Sequence, residues 1–277
     1  MDIEKTILVA AGLSRRVGTR IAEVVRKGEK VKVSHKGRAD LVTEIDIWSE
    51  EQIRLGVAEA FPEALVIGEE TSAALVKERG KSLEELASRG MVWIVDPLDG
   101  TSNFTNGIPY CVVSIGVLVD GVRELGVVYD PHRDELFYAI RGKGAYCNDS
   151  CLECSTRSDL SDALVASAFP NDRFERWANY KQTFEDLILS TRNVRSFGAA
   201  ALDLCWLAAG RFDGFFEFNL KPWDLAAASL IVEEAGGRGE SFGGSAHGEF
   251  SLFGSSFLFA SNDLFLPLRE VVTRTVR

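Results

Sequence analysis

The run Trp93-Ile94-Val95-Asp96-Pro97-Leu98-Asp99-Gly100-Thr101-Ser102-Asn103-Phe104 sets two carboxylates around a Pro-Leu pair at the end of an apolar stretch. At the C-terminal end of a buried strand, both acids aim at the rim of a sheet. Carboxylates held that close repel one another unless a cation lies between them. Oxygen-only ligation of this kind suits Mg²⁺ or Mn²⁺. Two more acidic stations accompany them: Gly68-Glu69-Glu70 at the end of another expected strand, and Trp223-Asp224 at the start of an expected helix. Each station also has a bland reading, respectively an Asp-Pro turn with an Asx-type cap, an exposed Glu pair and an N-cap aspartate. The bland readings must all hold together to remove the site.

Thr43-Glu44-Ile45-Asp46 is a capping-box-like helix start, with Thr43 as N-cap and Asp46 at the third helical position. The three histidines fall in unpromising places: His35 in a basic loop, His132 in a turn and His247 in a Gly/Ser-rich stretch. Cys147, Cys151 and Cys154 cluster locally and with His132 could make a zinc site, although their spacing matches no standard zinc pattern. Trp223 and the group Phe212, Phe215, Phe216 and Phe218 read as core.

The elements that must position these residues follow from periodicity. Residues 3 to 26 carry Ile3, Ile7, Val17, Ile21, Val24 and Val25 mostly at helical spacing, and a polar, basic loop follows. A second helix opens at Thr43, with Ile47, Ile53 and Val57 on one stripe, and ends near Phe61-Pro62. Ala64 to Ile67 reads as a strand, residues 72 to 89 as a charged helical excursion, and Met91 to Val95 as a buried strand stopped by Asp-Pro. From Val112, turns at Asp120-Gly121, Asp130-Pro131 and Gly142-Lys143-Gly144 separate the strands of an antiparallel meander. Strands and helices then alternate: Ala163 to Ser167, Arg173 to Ser190, Val194 to Phe197, Ala199 to Ala209, Gly214 to Phe218 and Leu225 to Ala235. The change of rhythm divides the chain into residues 1–150 and 151–277, two intimately packed halves.

The 277 residues carry 31 Lys and Arg against 41 Asp and Glu, a formal net charge of -10, so no bulk electrostatic drive toward nucleic acid or an anionic membrane is expected. The longest apolar run, Cys111 to Val119, is far shorter than the ~20 residues of a membrane-spanning helix. The acidic N-terminus lacks the basic region of a signal peptide, and five cysteines form no disulfide framework. A cytoplasmic protein with free thiols is the expectation.

The motifs GEE, DPLDGTSNF and KPWDLAAASLIVEEAGG, in this order and at these separations, resemble the inositol monophosphatase family of metal-dependent sugar and polyol phosphatases. The resemblance runs from the loop before Asp40 to the helix ending at Ala235. It implies a mixed α+β (α/β) fold, a five-layer αβαβα sandwich whose first half holds the antiparallel meander sheet and whose second half holds a mixed sheet. It also implies a homodimer, two or three Mg²⁺ ions (Mn²⁺ as a substitute), lithium sensitivity and a small phosphorylated polyol or sugar as substrate. Carried over, Glu69, Asp96, the Leu98 carbonyl, Asp99 and Asp224 are the metal ligands, with Asp96 bridging two ions. Glu69, Thr101 and Asp46 take catalytic roles, the Thr101 hydroxyl orienting the attacking water and Asp46 orienting that hydroxyl. Asp99, the backbone of Gly100 and Thr101, and Gly198, Ala199 and Ala200 bind phosphate, while Glu217 binds substrate hydroxyls.

Such ions suit the chemistry, because two of them roughly 3.5 to 4 Å apart can activate water and neutralise a leaving alkoxide in an in-line displacement. Two rival chemistries fit the letters less well: the pair is Asp96-x-x-Asp99 rather than Asp-x-Asp, and no Gly-x-x-x-x-Gly-Lys-Ser/Thr loop is present. The Cys-x₅-Arg spacing of a cysteine phosphatase does occur, at Cys151 with Arg157 and at Cys205 with Arg211, so spacing alone does not exclude that chemistry. Inositol 1-phosphate is the leading substrate. Fructose 1,6-bisphosphate, histidinol phosphate and 3′-phosphoadenosine nucleotides are the alternatives, and Arg173, Arg195 and Lys221 either face a second phosphate or are surface charges. The competing class is a regulatory binding protein that keeps the fold.

Overall fold

The computed structural model describes residues 1–37, 40–242 and 250–274; His247 lies outside the described residues. Helix α1 (Ile3–Lys27) starts where the Asp2 carboxylate accepts the Lys5 N–H at 3.1 Å and stops at Gly28, whose φ of 61° is left-handed. The polar stretch after it, expected as a loop, contains a hairpin of β1 (Val33–Gly37) and β2 (Asp40–Thr43). Every residue of β1 is exposed, so no apolar alternation marks it as a strand. Helix α2 (Glu44–Ala60) buries Ile45, Ser49, Ile53 and Val57, whereas Ile47, expected on that stripe, is 57% exposed.

Strand β3 (Leu65–Gly68) leads into the short helices α3 (Ser72–Arg79) and α4 (Leu83–Ala87), then into β4 (Met91–Asp99). After α5 (Thr101–Thr105) comes the meander: β5 (Val112–Val119), β6 (Val122–Asp130), β7 (Glu135–Ile140), β8 (Ala145–Cys147) and β9 (Ser150–Cys151). These form a seven-stranded sheet in the order β3-β4-β5-β6-β7-β8-β9, antiparallel throughout except for β3 beside β4.

The remaining elements are β10 (Leu164–Ala166), α6 (Arg173–Ser190), β11 (Asn193–Arg195), α7 (Ala200–Ala208), β12 (Gly214–Phe218), α8 (Pro222–Leu225), α9 (Ala228–Glu234), β13 (Gly237–Phe242), β14 (Ser256–Ser261) and α10 (Asn262–Thr273). The five strands form a mixed sheet in the order β11-β10-β12-β14-β13. The helix expected over Leu225 to Ala235 is divided into α8 and α9, with Ala226 and Ala227 between them.

Period-2 alternation decides the layering. From β4, Trp93 and Val95 pack with Val17, Ile21 and Ile53 of α1 and α2, while Val92 and Ile94 face the other way, onto Leu204 and Ile231 of α7 and α9. In the second sheet Phe215, Phe257 and Phe259 meet that same middle layer, and Phe216, Leu258 and Ala260 pack with Leu187 of α6 and Leu268 of α10. The result is five layers, αβαβα. Among the described residues no helix is long and apolar enough to cross a membrane.

Candidate active site

Two carboxylates three positions apart on a regular strand point to opposite faces. In β4 they do not stay so, because its register against β5 slips: Asp96 pairs with Ser114 but Asp99 with Val112. The extra residue on β4 is a bulge, and it brings Asp96 and Asp99 to line one recess. Pro97 lies in the bulge, beyond the point where β3 ends with Gly68 opposite Val95. The bond its missing N–H would make, to the Glu69 carbonyl, is replaced by the Ser72 hydroxyl, which donates to that carbonyl at 3.1 Å. The strand therefore continues through Asp-Pro rather than ending there. The Leu98 N–H closes the bulge onto Asp96 Oδ1 at 3.0 Å.

Glu69 continues the ladder, donating its N–H to the Val95 carbonyl at 3.1 Å. Lys36 reaches over from β1 and donates to Glu69 Oε1 at 2.9 Å and Glu70 Oε1 at 2.8 Å. Burial disfavours the Lys36 ammonium, but Glu69 and Glu70 outweigh it and its pKa is raised. Glu50 of α2, buried, accepts the Glu70 N–H at 2.7 Å and the Thr71 hydroxyl at 2.6 Å, fixing the turn that carries Glu69. Gly68 makes room for it: a Cβ there would stand 2.2 Å from the Glu50 carboxyl carbon. Burial pushes the Glu70 carboxyl up to about 7.

Asp224 sits in the first turn of α8, where Oδ2 accepts the Lys221 N–H at 2.7 Å. The chain just after it is pressed onto the first sheet. A Cβ at Gly116 would lie 2.6 Å from the Ala226 Cβ, and one at Gly126 would lie 2.4 Å from the Ala227 carbonyl oxygen. This close approach brings Asp224 to the same recess as Asp96 and Asp99. Asp99 Oδ2 accepts the Ala201 N–H of α7 at 2.7 Å. Burial raises the carboxyl pKa of all three aspartates, to about 7 for Asp224, and Glu69 adds to the rise in each.

Asp46 serves two neighbours. Its Oδ2 accepts the Thr43 N–H at 2.9 Å and also the Thr43 hydroxyl, completing the capping box of α2. Its Oδ1 lies 3.1 Å from the Thr101 hydroxyl, which is also 3.1 Å from the Leu98 carbonyl oxygen. Burial pushes the Asp46 carboxyl up, opposed by hydrogen bonds from Thr43 and Thr101.

The recess has a volume of about 180 Å³ and is lined by Glu69, Asp96, Leu98, Asp99, Gly100, Thr101, Gly198 and Asp224, among others. It adjoins a wider cleft of about 950 Å³ that shares Glu69, Asp99, Gly198 and Asp224 and adds Ala200 and Glu217. Ala199 is buried behind Gly100. Glu217, on β12, is 5% exposed, and its Oε1 has no hydrogen-bond partner among the described residues. Burial holds its carboxyl well above the usual range. The site residues read from the sequence line the recess or the adjoining cleft, except Asp46, which contacts the Thr101 hydroxyl from behind it, and Ala199, which lies behind Gly100.

The donor set fits a hard divalent cation. It offers only oxygens, and buried carboxylates that repel one another ionise readily only beside positive charge. Among the described residues no three His, Cys, Asp or Glu side chains already form a ligand group. Asp96, Asp99 and Asp224 are each anchored by a backbone N–H instead.

A family model described as the inositol monophosphatase family matches residues 2–270. The chain belongs to the inositol monophosphatase family. It is similar to the Nus factor SuhB of Vibrio cholerae, 38% identical over 236 residues covering 85% of each chain. Its structure is similar to that of the Thermotoga maritima IMPase, with a TM-score of 0.82, 29% identity and coverage of 100% of this chain and 98% of the other. Inositol monophosphatase II of Staphylococcus aureus with inositol monophosphate bound matches at a TM-score of 0.76, with 26% identity over 97% and 93% of the two chains.

For this member of the inositol monophosphatase family, several side readings change. Of Arg173, Arg195 and Lys221, only Lys221 lines the cleft; Arg173 donates to the Pro170 carbonyl and Arg195 to that of Val194. His132 does not join the cysteine cluster: its Nε2 lies 3.4 Å from Cys111 Sγ, and all five cysteines are free. Trp223 and Phe218, read as packing, also line the cleft, whereas Phe212, Phe215 and Phe216 are core. Lys36 and Glu50 were missed. Both act through contacts to residues far along the chain, a relation no local pattern encodes.

Proposed function

We propose that the protein is a Mg²⁺-dependent phosphatase of small polyol or sugar monophosphates, with inositol 1-phosphate the leading substrate. The reading rests on one observation: Glu69, Asp96, Asp99 and Asp224 line a small recess together with Thr101, at the edge of a cleft into which Glu217 brings an unpartnered oxygen. Glu69, Asp96, the Leu98 carbonyl, Asp99 and Asp224 would hold the ions, which supply water activation and neutralise the leaving alkoxide. Thr101 has one hydroxyl proton, directed at Asp46 Oδ1 or the Leu98 carbonyl, which leaves an oxygen lone pair to accept a hydrogen bond from the attacking water and so orient it. The backbone at Gly100, Thr101 and Gly198 to Ala200 receives the phosphate oxygens. Glu217 receives substrate hydroxyls, for which its unpaired oxygen is suited. Lithium sensitivity and a homodimeric assembly belong to the same proposal.

A monophosphate is placed before a bisphosphate because neither Arg173 nor Arg195 lines the cleft, and of the cations that do, Lys36 is paired with Glu69 and Glu70 and Arg176 with Asp172, which leaves Lys221 in a cleft that Glu175 also lines. A panel of inositol 1-phosphate, fructose 1,6-bisphosphate, histidinol phosphate, a 3′-phosphoadenosine nucleotide and an aryl phosphate tests this on wild type and Glu217→Gln. The variant should lose kcat/KM on inositol 1-phosphate by at least about tenfold more than on the aryl ester, which has no hydroxyls to bind. Equal losses would make Glu217 a scaffold residue, and preference for the bisphosphate would move the substrate assignment.

The name of the Vibrio cholerae relative supports a second reading, in which the chain works as a Nus factor through a partner rather than by turnover. Wild-type protein inactive on the whole panel with Mg²⁺ present would favour it.

A further inference from the structure

The two turns assigned to phosphate come from opposite halves of the chain, Gly100-Thr101 at the end of β4 and Gly198 to Ala200 at the start of α7. Something must fix their separation, because a phosphate gripped from two sides tolerates little error in spacing. They approach closely: a Cβ on Gly100 would lie 3.3 Å from the Ala199 Cβ.

Beside that approach, Asn103, Tyr110 and Asp203 link the two segments by hydrogen bonds. The two amide hydrogens of Asn103, in α5, go to the Tyr110 carbonyl at 2.8 Å and to the Phe197 carbonyl at 2.7 Å. The first holds the loop after α5, and the second holds the residue just before Gly198. The Tyr110 hydroxyl then crosses to α7 and donates to Asp203 Oδ1 at 2.5 Å. The Tyr110 ring lies against Phe197, centroids 4.9 Å apart, and meets Trp206 edge-on at 5.3 Å. Asp203 is 0% exposed and Tyr110 5%. Asp203 Oδ2 has no hydrogen-bond partner among the described residues.

A buried carboxyl with one partner is an expensive way to fill space, and apolar residues of the same shape generally stabilise as well or better. Packing alone does not account for it. We propose that Tyr110 and Asp203, with Asn103, are positioning residues: a strut that sets the distance between the two phosphate-receiving turns. The inference rests on the phosphatase reading. Because the turns grip substrate, transition state and product phosphate alike, loss of the strut weakens all three together. It raises KM and the inhibition constant of inorganic phosphate while leaving kcat close to its wild-type value.

The test measures kcat, KM and inhibition by inorganic phosphate in Asp203→Ala, Tyr110→Phe and Asp203→Asn, with melting temperatures alongside. Asp203→Ala and Tyr110→Phe should each raise KM and the phosphate inhibition constant by about tenfold, with kcat within about threefold of wild type. Asp203→Asn keeps an acceptor for the Tyr110 hydroxyl and should restore both constants. Should Asp203→Ala fail to fold, Tyr110→Phe, which removes a single oxygen, carries the test. Unchanged constants in folded Tyr110→Phe, or an Asp203→Asn as impaired as Asp203→Ala, would overturn the strut while wild-type turnover leaves the phosphatase reading standing. A wild type without Mg²⁺-dependent turnover would overturn both.

Discussion

Asp46 divides its two oxygens between a helix cap and the Thr101 hydroxyl, so its geometry accommodates both a structural role and the proposed catalytic one. They separate by mutation. Thr43→Ala removes the cap hydroxyl and its bond to Asp46 Oδ2 but keeps the Thr43 N–H on that oxygen and Thr101 on Oδ1, and should lower stability by about 0.5 to 2 kcal/mol, with kcat retained where the protein is folded. Asp46→Asn and Thr101→Ala should each cut kcat by about 100-fold or more, and their double mutant should be little worse, because the two act as a unit. Parallel melting curves and initial rates decide it. At this scale the acids of DPLDGTSNF, GEE and PWD were legible because each motif is contiguous. Lys36, Glu50 and Asp203 were not, since their roles arise from partners 34, 20 and 93 residues away.

Among the elements, the ones read well have one clean period: α1, the meander strands, and α6, whose bounds were read as Arg173 to Ser190. The exceptions have physical causes. The bulge in β4 and the break between α8 and α9 are set by neighbours, the first by where β3 stops and the second by Gly116 and Gly126 beneath Ala226 and Ala227. Beyond Ala235, β13, β14 and α10 are not among the expected elements. In β14, Phe257 and Phe259 are buried on one face and Leu258 and Ala260 on the other, so the run shows no alternation from which to infer a strand. The glycine contacts predict that Gly126→Ala, whose methyl would meet a backbone carbonyl, destabilises by about 1 to 3 kcal/mol. It should also raise the Mg²⁺ concentration needed for half-maximal activity, because the segment it displaces carries Asp224. Denaturant unfolding and a Mg²⁺ titration of activity check the two halves. A variant of wild-type stability and Mg²⁺ requirement would show that this contact does not place the acid.

For the molecule as a whole, the residues alone predicted a meander half and an alternating half but not how they stack; the five layers came from the family resemblance. Stacking depends on which face of each sheet meets α7 and α9, and both sheets present aromatic and branched residues on both faces. The stacking draws Glu69, Asp96 and Asp99 of the first half to Asp224 of the second, building a strongly acidic recess in a chain whose net charge is already -10. Such a recess is costly unless it serves a cation. The most direct test is phosphate release from inositol 1-phosphate by the purified wild type, Asp96→Asn and Asp224→Asn across a Mg²⁺ titration ending in excess EDTA. Turnover should rise with Mg²⁺ and be abolished by EDTA, and both variants should stay folded but lose most of it. Turnover that persists in EDTA, or full activity in either variant, would contradict it.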